Sequence, residues 1–204
     1  TMTLTLIHLR RAAVLLAASA SLMLGGCGAM LAQNPSSQLK PVNAVADGTA
    51  EHLMLRGHDV VSYFTKGTHQ QGTNLQQSVY QGVTFRFASA EHKALFDKDP
   101  ARYAPQYGGF CANGIVYGIP WGGDADSFMM INGKLYMFGG QGSRDGWNID
   151  PVKNLALAEK YWKEEVSNSN SFWQRWKRLV FRVPHYLNGS QLAQAVAEAK
   201  AKKP

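Results

Sequence analysis

Cysteine is scarce: Cys27 and Cys111 are the two thiols in 204 residues. Two thiols make one disulfide at most, which excludes the multiply bridged scaffolds of small secreted proteins. The chain also lacks an apolar run of bilayer-spanning length. The stretch from Ala12 to Leu24 is apolar apart from Ser19 and Ser21, but a transmembrane helix needs ~20 such residues. There is no internal repeat and no nucleic-acid-binding motif, so nucleic acid is not an expected partner. Ser62 and Ser89 lack a nucleophile-elbow context. No complete catalytic constellation stands out, so a non-enzymatic protein is expected.

What is present describes a globular chain. Hydrophobic residues make up 45% and charged residues 17%, with a net charge of +7. Basic residues precede the apolar run as His8, Arg10 and Arg11, and the run ends in Leu24-Gly25-Gly26-Cys27. A basic start, a short apolar segment and small residues before a cleavage point make a secretory signal peptide, here residues 1–26. The four residues ending in Cys27 resemble the lipobox of bacterial lipoproteins, in which the cysteine is acylated and becomes the new amino terminus. That resemblance implies lipidation at Cys27 and a bilayer as partner. It also implies a place in the bacterial cell envelope. Gly28, where an aspartate would retain the protein elsewhere, implies the outer membrane, with the domain facing the periplasm. An ordinary signal peptide cut after Ala18 or Ala20 is the alternative. Loss of Arg10 and Arg11 with the leader lowers the charge from +7 to +5. Residues 27–50 mix small, polar and proline residues without periodicity and read as a lipidated flexible tether.

The remainder reads as one α+β domain, residues 51–166, of β-hairpins packed with short helices, followed by a helical extension, 167–204. Ser78–Phe87 predicts a hairpin turning at Gln81-Gly82, and Ser89 is placed to cap a helix through Lys98. Asp99-Pro100 and Asp150-Pro151 each open a helix, the second running to about Val166. Asn132-Gly133 between two apolar runs is a type I′ hairpin signal, because both residues tolerate positive φ. Asp59–Phe64 is either a strand or a helical turn capped by Asp59.

Three segments carry a family resemblance: Arg56-Gly-His-Asp-Val-Val-Ser-Tyr-Phe64, Tyr80-Gln-Gly-Val-Thr-Phe-Arg-Phe-Ala-Ser-Ala-Glu-His92, and Phe96 through Tyr107-Gly-Gly-Phe-Cys-Ala112. Together, over residues 53–162, they resemble the YHS domain family in its secreted bacterial branch. Better-studied members accompany heavy-metal transport and bind metal through a Phe-Cys-Ser-x-x-Cys segment. This chain departs there, with Ala88 and His92 at the two thiol positions. The resemblance therefore implies a replacement ligand set of Cys111, His92, His58 and Asp59, suited to copper(I) or zinc.

Each candidate has a plainer reading. Cys111 is either a thiol displayed by the glycine-rich loop Gly109–Gly114 or a buried small hydrophobe. His92 is either a ligand or a helix residue facing solvent, and Asp59 either orients His58 or caps the next turn. Tyr63, Tyr103, Tyr107, Trp121 and Tyr136 either line a ligand pocket or fill the core. A thiol-dependent redox protein is a further alternative.

In the extension, Phe172, Trp173, Trp176, Leu179, Val180 and Val183 fall on one side of a helix at 100° per residue. Arg175, Lys177, Arg178 and Arg182 fall opposite, with Phe181 among them. The expected arrangement is a helix that packs its apolar side on its own domain and leaves its arginines in water. The alternative is an interaction module, in which Trp173, Trp176, Arg175, Arg178 and Arg182 meet a membrane surface or a protein partner. A weak alanine-rich helix from Ser190 closes the chain.

Overall fold

The computed structural model describes residues 42–202, so Cys27, the leader and most of the tether lie outside the described residues. The fold is α+β, as the patterning predicts. A four-stranded sheet has the order β1 (Ala44–Val45), β2 (Leu53–Met54), β4 (Val83–Phe87), β3 (Thr73–Tyr80). Within it β2 runs parallel to β4, and the other neighbours are antiparallel. A separate hairpin joins β5 (Asp124–Ile131) to β6 (Lys134–Phe138). Both hairpins turn at the expected dipeptides. Gln81 and Gly82 have φ of 51° and 76°, and Asn132 and Gly133 have 52° and 73°.

Eight helices complete the described residues. They are α1 (Ser62–Thr65), α2 (Ala90–Lys98), α3 (Pro100–Tyr103), α4 (Ala112–Ile115), α5 (Gln141–Trp147), α6 (Pro151–Tyr161), α7 (Ser171–Val180) and α8 (Gly189–Ala201). Caps set the starts. Ser89 accepts from the His92 amide, Asp99 from Arg102, and Asp150 from Lys153, the last two each preceding a proline at the first helical position. The final turn of α6 widens into a π-type segment over Trp162–Val166. Asn188 and Gln191 cap α8 reciprocally.

Strand β6 organises the interior. Successive side chains of a strand point to opposite faces, and here both faces are buried. Tyr136 and Phe138 join a core with Phe110, Ile115, Trp147 and Ala158. Leu135 and Met137 join a second core with Val60, Phe85, Phe87 and Phe96. The candidate pocket aromatics fill these cores: Tyr63 and Tyr103 lie in one, Tyr107 and Tyr136 in the other, with Trp121 packed against it.

One expected boundary moves. The tether reading of 27–50 is corrected over its last residues. Val42 and Ala44 are buried, and Asn43 donates from Nδ2 to the carbonyls of Gly109 and Gly123, both at 3.0 Å. Unpatterned composition hid a segment held by strand pairing, by buried Val42 and Ala44 and by the Asn43 amide. The extension at 167–204 contributes Val183 to the core that holds Val166.

Gly123 marks a close approach of backbone within this frame. A Cβ there would lie 2.6 Å from the Gly109 carbonyl oxygen and 2.6 Å from the Met137 Cβ. Gly123→Ala is therefore expected to lose ~1–3 kcal/mol, the usual cost of forcing an extra carbon into packed structure. A denaturant titration should show a lower midpoint with unchanged slope.

Candidate functional site

The four metal candidates do not form one site. Asp59 is fully buried at the entrance to α1. Its Oδ1 accepts from the Val61 amide at 2.9 Å, and its Oδ2 accepts from the Ala88 amide at 2.9 Å. His92 Nδ1 lies 2.6 Å from the same Oδ2, and Nε2 lies 3.0 Å from the Thr65 hydroxyl. The carboxylate accepts, so Nδ1 is the donor of that bond, and Nε2 faces the Thr65 hydroxyl. The network ties α1 to the start of α2. Thr65 was not a sequence candidate. Its pairing with His92 spans 27 residues and leaves no local pattern.

His58 takes no part in this network. Its Nδ1 lies 2.9 Å from the Leu55 carbonyl oxygen, and its ring stands 5.5 Å from that of His69. Cys111 is buried between the two glycines that were expected to display it. Its thiol is pushed up by burial, against smaller opposing contributions from backbone groups of Gly114 and Gly139 and from Ser143. Burial of this kind disfavours the thiolate that a soft metal or an electrophile requires. Among the described residues no group of three or more His, Cys, Asp or Glu is placed to hold a metal ion. The residues present thus do not fit the copper or zinc that the YHS resemblance implies. The physical reason is that Asp59 and His92 are already bonded to each other, while Cys111 serves the core.

The second candidate surface, helix α7, has the opposite orientation from the expected one. Ser171, Gln174 and Arg175 are buried at 0%, 2% and 7% exposure, whereas Trp173, Trp176, Leu179 and Val180 are 54–61% exposed. Phe181, just past the helix, is exposed as well. The polar side packs inward and the apolar side faces out. The cause lies in the loop after α4. Gln174 Nε2 donates to the Gly118 carbonyl at 2.9 Å, and Arg175 Nε donates to the Pro120 carbonyl at 2.7 Å. His185 Nε2 lies 2.9 Å from the Val116 carbonyl. The helix seat is a row of backbone acceptors, and only the polar face of α7 can satisfy it.

Two of the five proposed contact residues are corrected by this. Arg175 is buried over the Phe110 ring, 5.8 Å from its centroid, and burial pulls its guanidinium down to about 10. Arg178 pairs with Glu165 and lies over the Tyr161 ring at 5.4 Å. Neither reaches a partner, because both close the helix onto the domain. Trp173, Trp176 and Arg182 remain outward, Arg182 resting 4.6 Å over the Tyr186 ring. No helix among the described residues is long and apolar enough to cross a membrane. Comparison with protein-family models, curated proteins and solved structures finds no match.

Glu165 clamps the helix electrostatically. It accepts from Gln174 Nε2 at 3.1 Å and Lys177 Nζ at 3.0 Å, and it pairs with Arg178. Burial pushes its carboxyl up, but Gln174, Lys177 and Arg178 together outweigh burial and hold it below its ordinary value. A carboxyl depressed on folding stabilises the fold above its unfolded value, and that stabilisation is lost as pH falls through the folded one. The stability difference between the native chain and Glu165→Gln should therefore shrink as pH is lowered past the ordinary glutamate range. Chemical denaturation at stepped pH checks this, and a pH-independent difference would contradict it.

Proposed function

We propose that this chain is a cell-envelope lipoprotein, anchored through acylated Cys27, whose YHS-like domain is a non-enzymatic docking module. The observation that carries the docking role is the outward apolar face of α7. A large apolar side chain left in water forgoes ~1.5–3 kcal/mol of burial. Five such side chains, Trp173, Trp176, Leu179, Val180 and Phe181, stand exposed on one ten-residue helix and its end. Contiguous exposed apolar surface of this kind marks an interaction site, whereas isolated exposed hydrophobes carry no such meaning.

The anchoring part rests on the sequence: a basic start, a short apolar segment and small residues before Cys27. The YHS-like assignment rests on the three motifs between Arg56 and Ala112. In this reading the domain faces the periplasm from the outer membrane. A thiol-dependent redox role has less support, since Cys111 is buried. A metal-binding role has less support for the same reason and because Asp59 and His92 are mutually satisfied.

A protease site inserted into residues 28–41 of the full chain tests both parts in isolated envelopes. Before cleavage, metabolically supplied acyl chains should label the native protein and not Cys27→Ser. After cleavage, the released domain should stay with the envelopes. The Trp173→Ser/Trp176→Ser pair should lower retention at least tenfold while leaving the thermal midpoint within ~4 °C, because surface substitutions cost within ~0.5 kcal/mol each. Equal retention of both chains would reject docking through α7.

A further inference from the structure

Resting on the docking role of α7, we propose that its occupant is the interface of an anionic lipid bilayer, with Trp173 and Trp176 seated at headgroup depth. Three observations select lipid over protein. The first is composition. Residues 171–183 hold four basic side chains and no acidic one, and Glu165 is the single carboxylate paired among them. Arg175 and Arg178 are turned onto the domain, so the outward basic groups are Lys177, which shares Glu165, and Arg182. Lys177 and Arg182 stay at the surface beside the apolar side chains. Tryptophan with aliphatic residues on one side and basic residues at the margin is the arrangement of helices that lie in a membrane interface.

The second is the orientation of the helix. An interfacial helix normally turns its basic face to water, while here Gln174 and Arg175 are fixed inward by the Gly118 and Pro120 carbonyls. The apolar face is therefore the side the domain offers to its surroundings, held without a conformational change. The third is reach. Fourteen residues lie between Cys27 and Val42, a path of at most ~54 Å. A domain held that close to the membrane meets its surface at high effective concentration, so a weak interfacial contact suffices. A second copy of the chain fits the patch poorly, because it would bring two like-charged rims together.

The test uses the full chain reconstituted into vesicles doped with brominated phospholipid, which quenches tryptophan at bilayer depth. In phosphatidylglycerol vesicles, quenching is expected to be strong. It should be lost in Trp173→Phe/Trp176→Phe, which retains Trp121, Trp147 and Trp162. In pure phosphatidylcholine, or with Lys177→Gln/Arg182→Gln, the docked fraction should fall about tenfold, the weight of roughly one to two surface charges. Three results would overturn the proposal. One is quenching that does not differ between the native chain and Trp173→Phe/Trp176→Phe. Another is quenching that does not depend on lipid charge. The third is a dimer by light scattering whose assembly Trp173→Ser/Trp176→Ser abolishes. Failure in protein-free vesicles together with Trp-dependent retention in envelopes would leave docking standing and point to a protein partner. Failure of both would remove the docking role itself.

Discussion

The orientation of α7 follows from the hydrogen-bonding demand of one loop. Val116, Gly118 and Pro120 present carbonyls where no strand or helix continues to satisfy them, and His185, Gln174 and Arg175 meet that demand. A buried acceptor left unpaired costs ~1–3 kcal/mol. Turning α7 over would bury its tryptophans, but it would orphan these groups and lead Trp side chains into a polar seat. The unpaired Gly118 and Pro120 carbonyls and the loss of the Glu165 pairs oppose that rotation, and a partner covering the outward side chains would remove its gain. The apolar face is outward because the polar face is needed inward.

That arrangement burdens the domain with a buried cation. The guanidinium of Arg175 has a carbonyl and an aromatic ring as neighbours rather than a carboxylate. Burying charge is expensive, and the cost shows in its lowered value. Arg178 and Lys177 avoid the same fate by sharing Glu165. The helix is held by directional polar contacts, which fix its rotation more sharply than apolar packing would.

The Asp59–His92–Thr65 network shows the opposite use of polar groups. Each acceptor and donor is consumed within the fold, and the network fastens α1 to α2 over the core that includes Phe96. Strand β6, buried on both sides, joins this core to the one beneath α7. The two polar assemblies thus sit on opposite faces of one strand's packing, one closed on itself and one pressing an apolar face outward.

Short-range features were readable in advance. The two hairpins follow from dipeptides that accept positive φ, and the helix starts follow from caps one to three residues away, so sequence neighbours alone decide them. The α+β class and an amphipathic helix from Ser171 were legible for the same reason, although the helix expected through Val183 stops at Val180. The periodicity of that helix shows two unlike faces but carries no sign saying which one faces in. That choice depends on carbonyls 55 to 69 residues earlier in the chain. The burial of Cys111, the closure of His92 on Asp59 and Thr65, and the pairing of Asn43 with Gly109 and Gly123 were likewise set only by folding. Each is a contact between groups far apart in sequence, and no local pattern encodes a partner that only tertiary packing brings near.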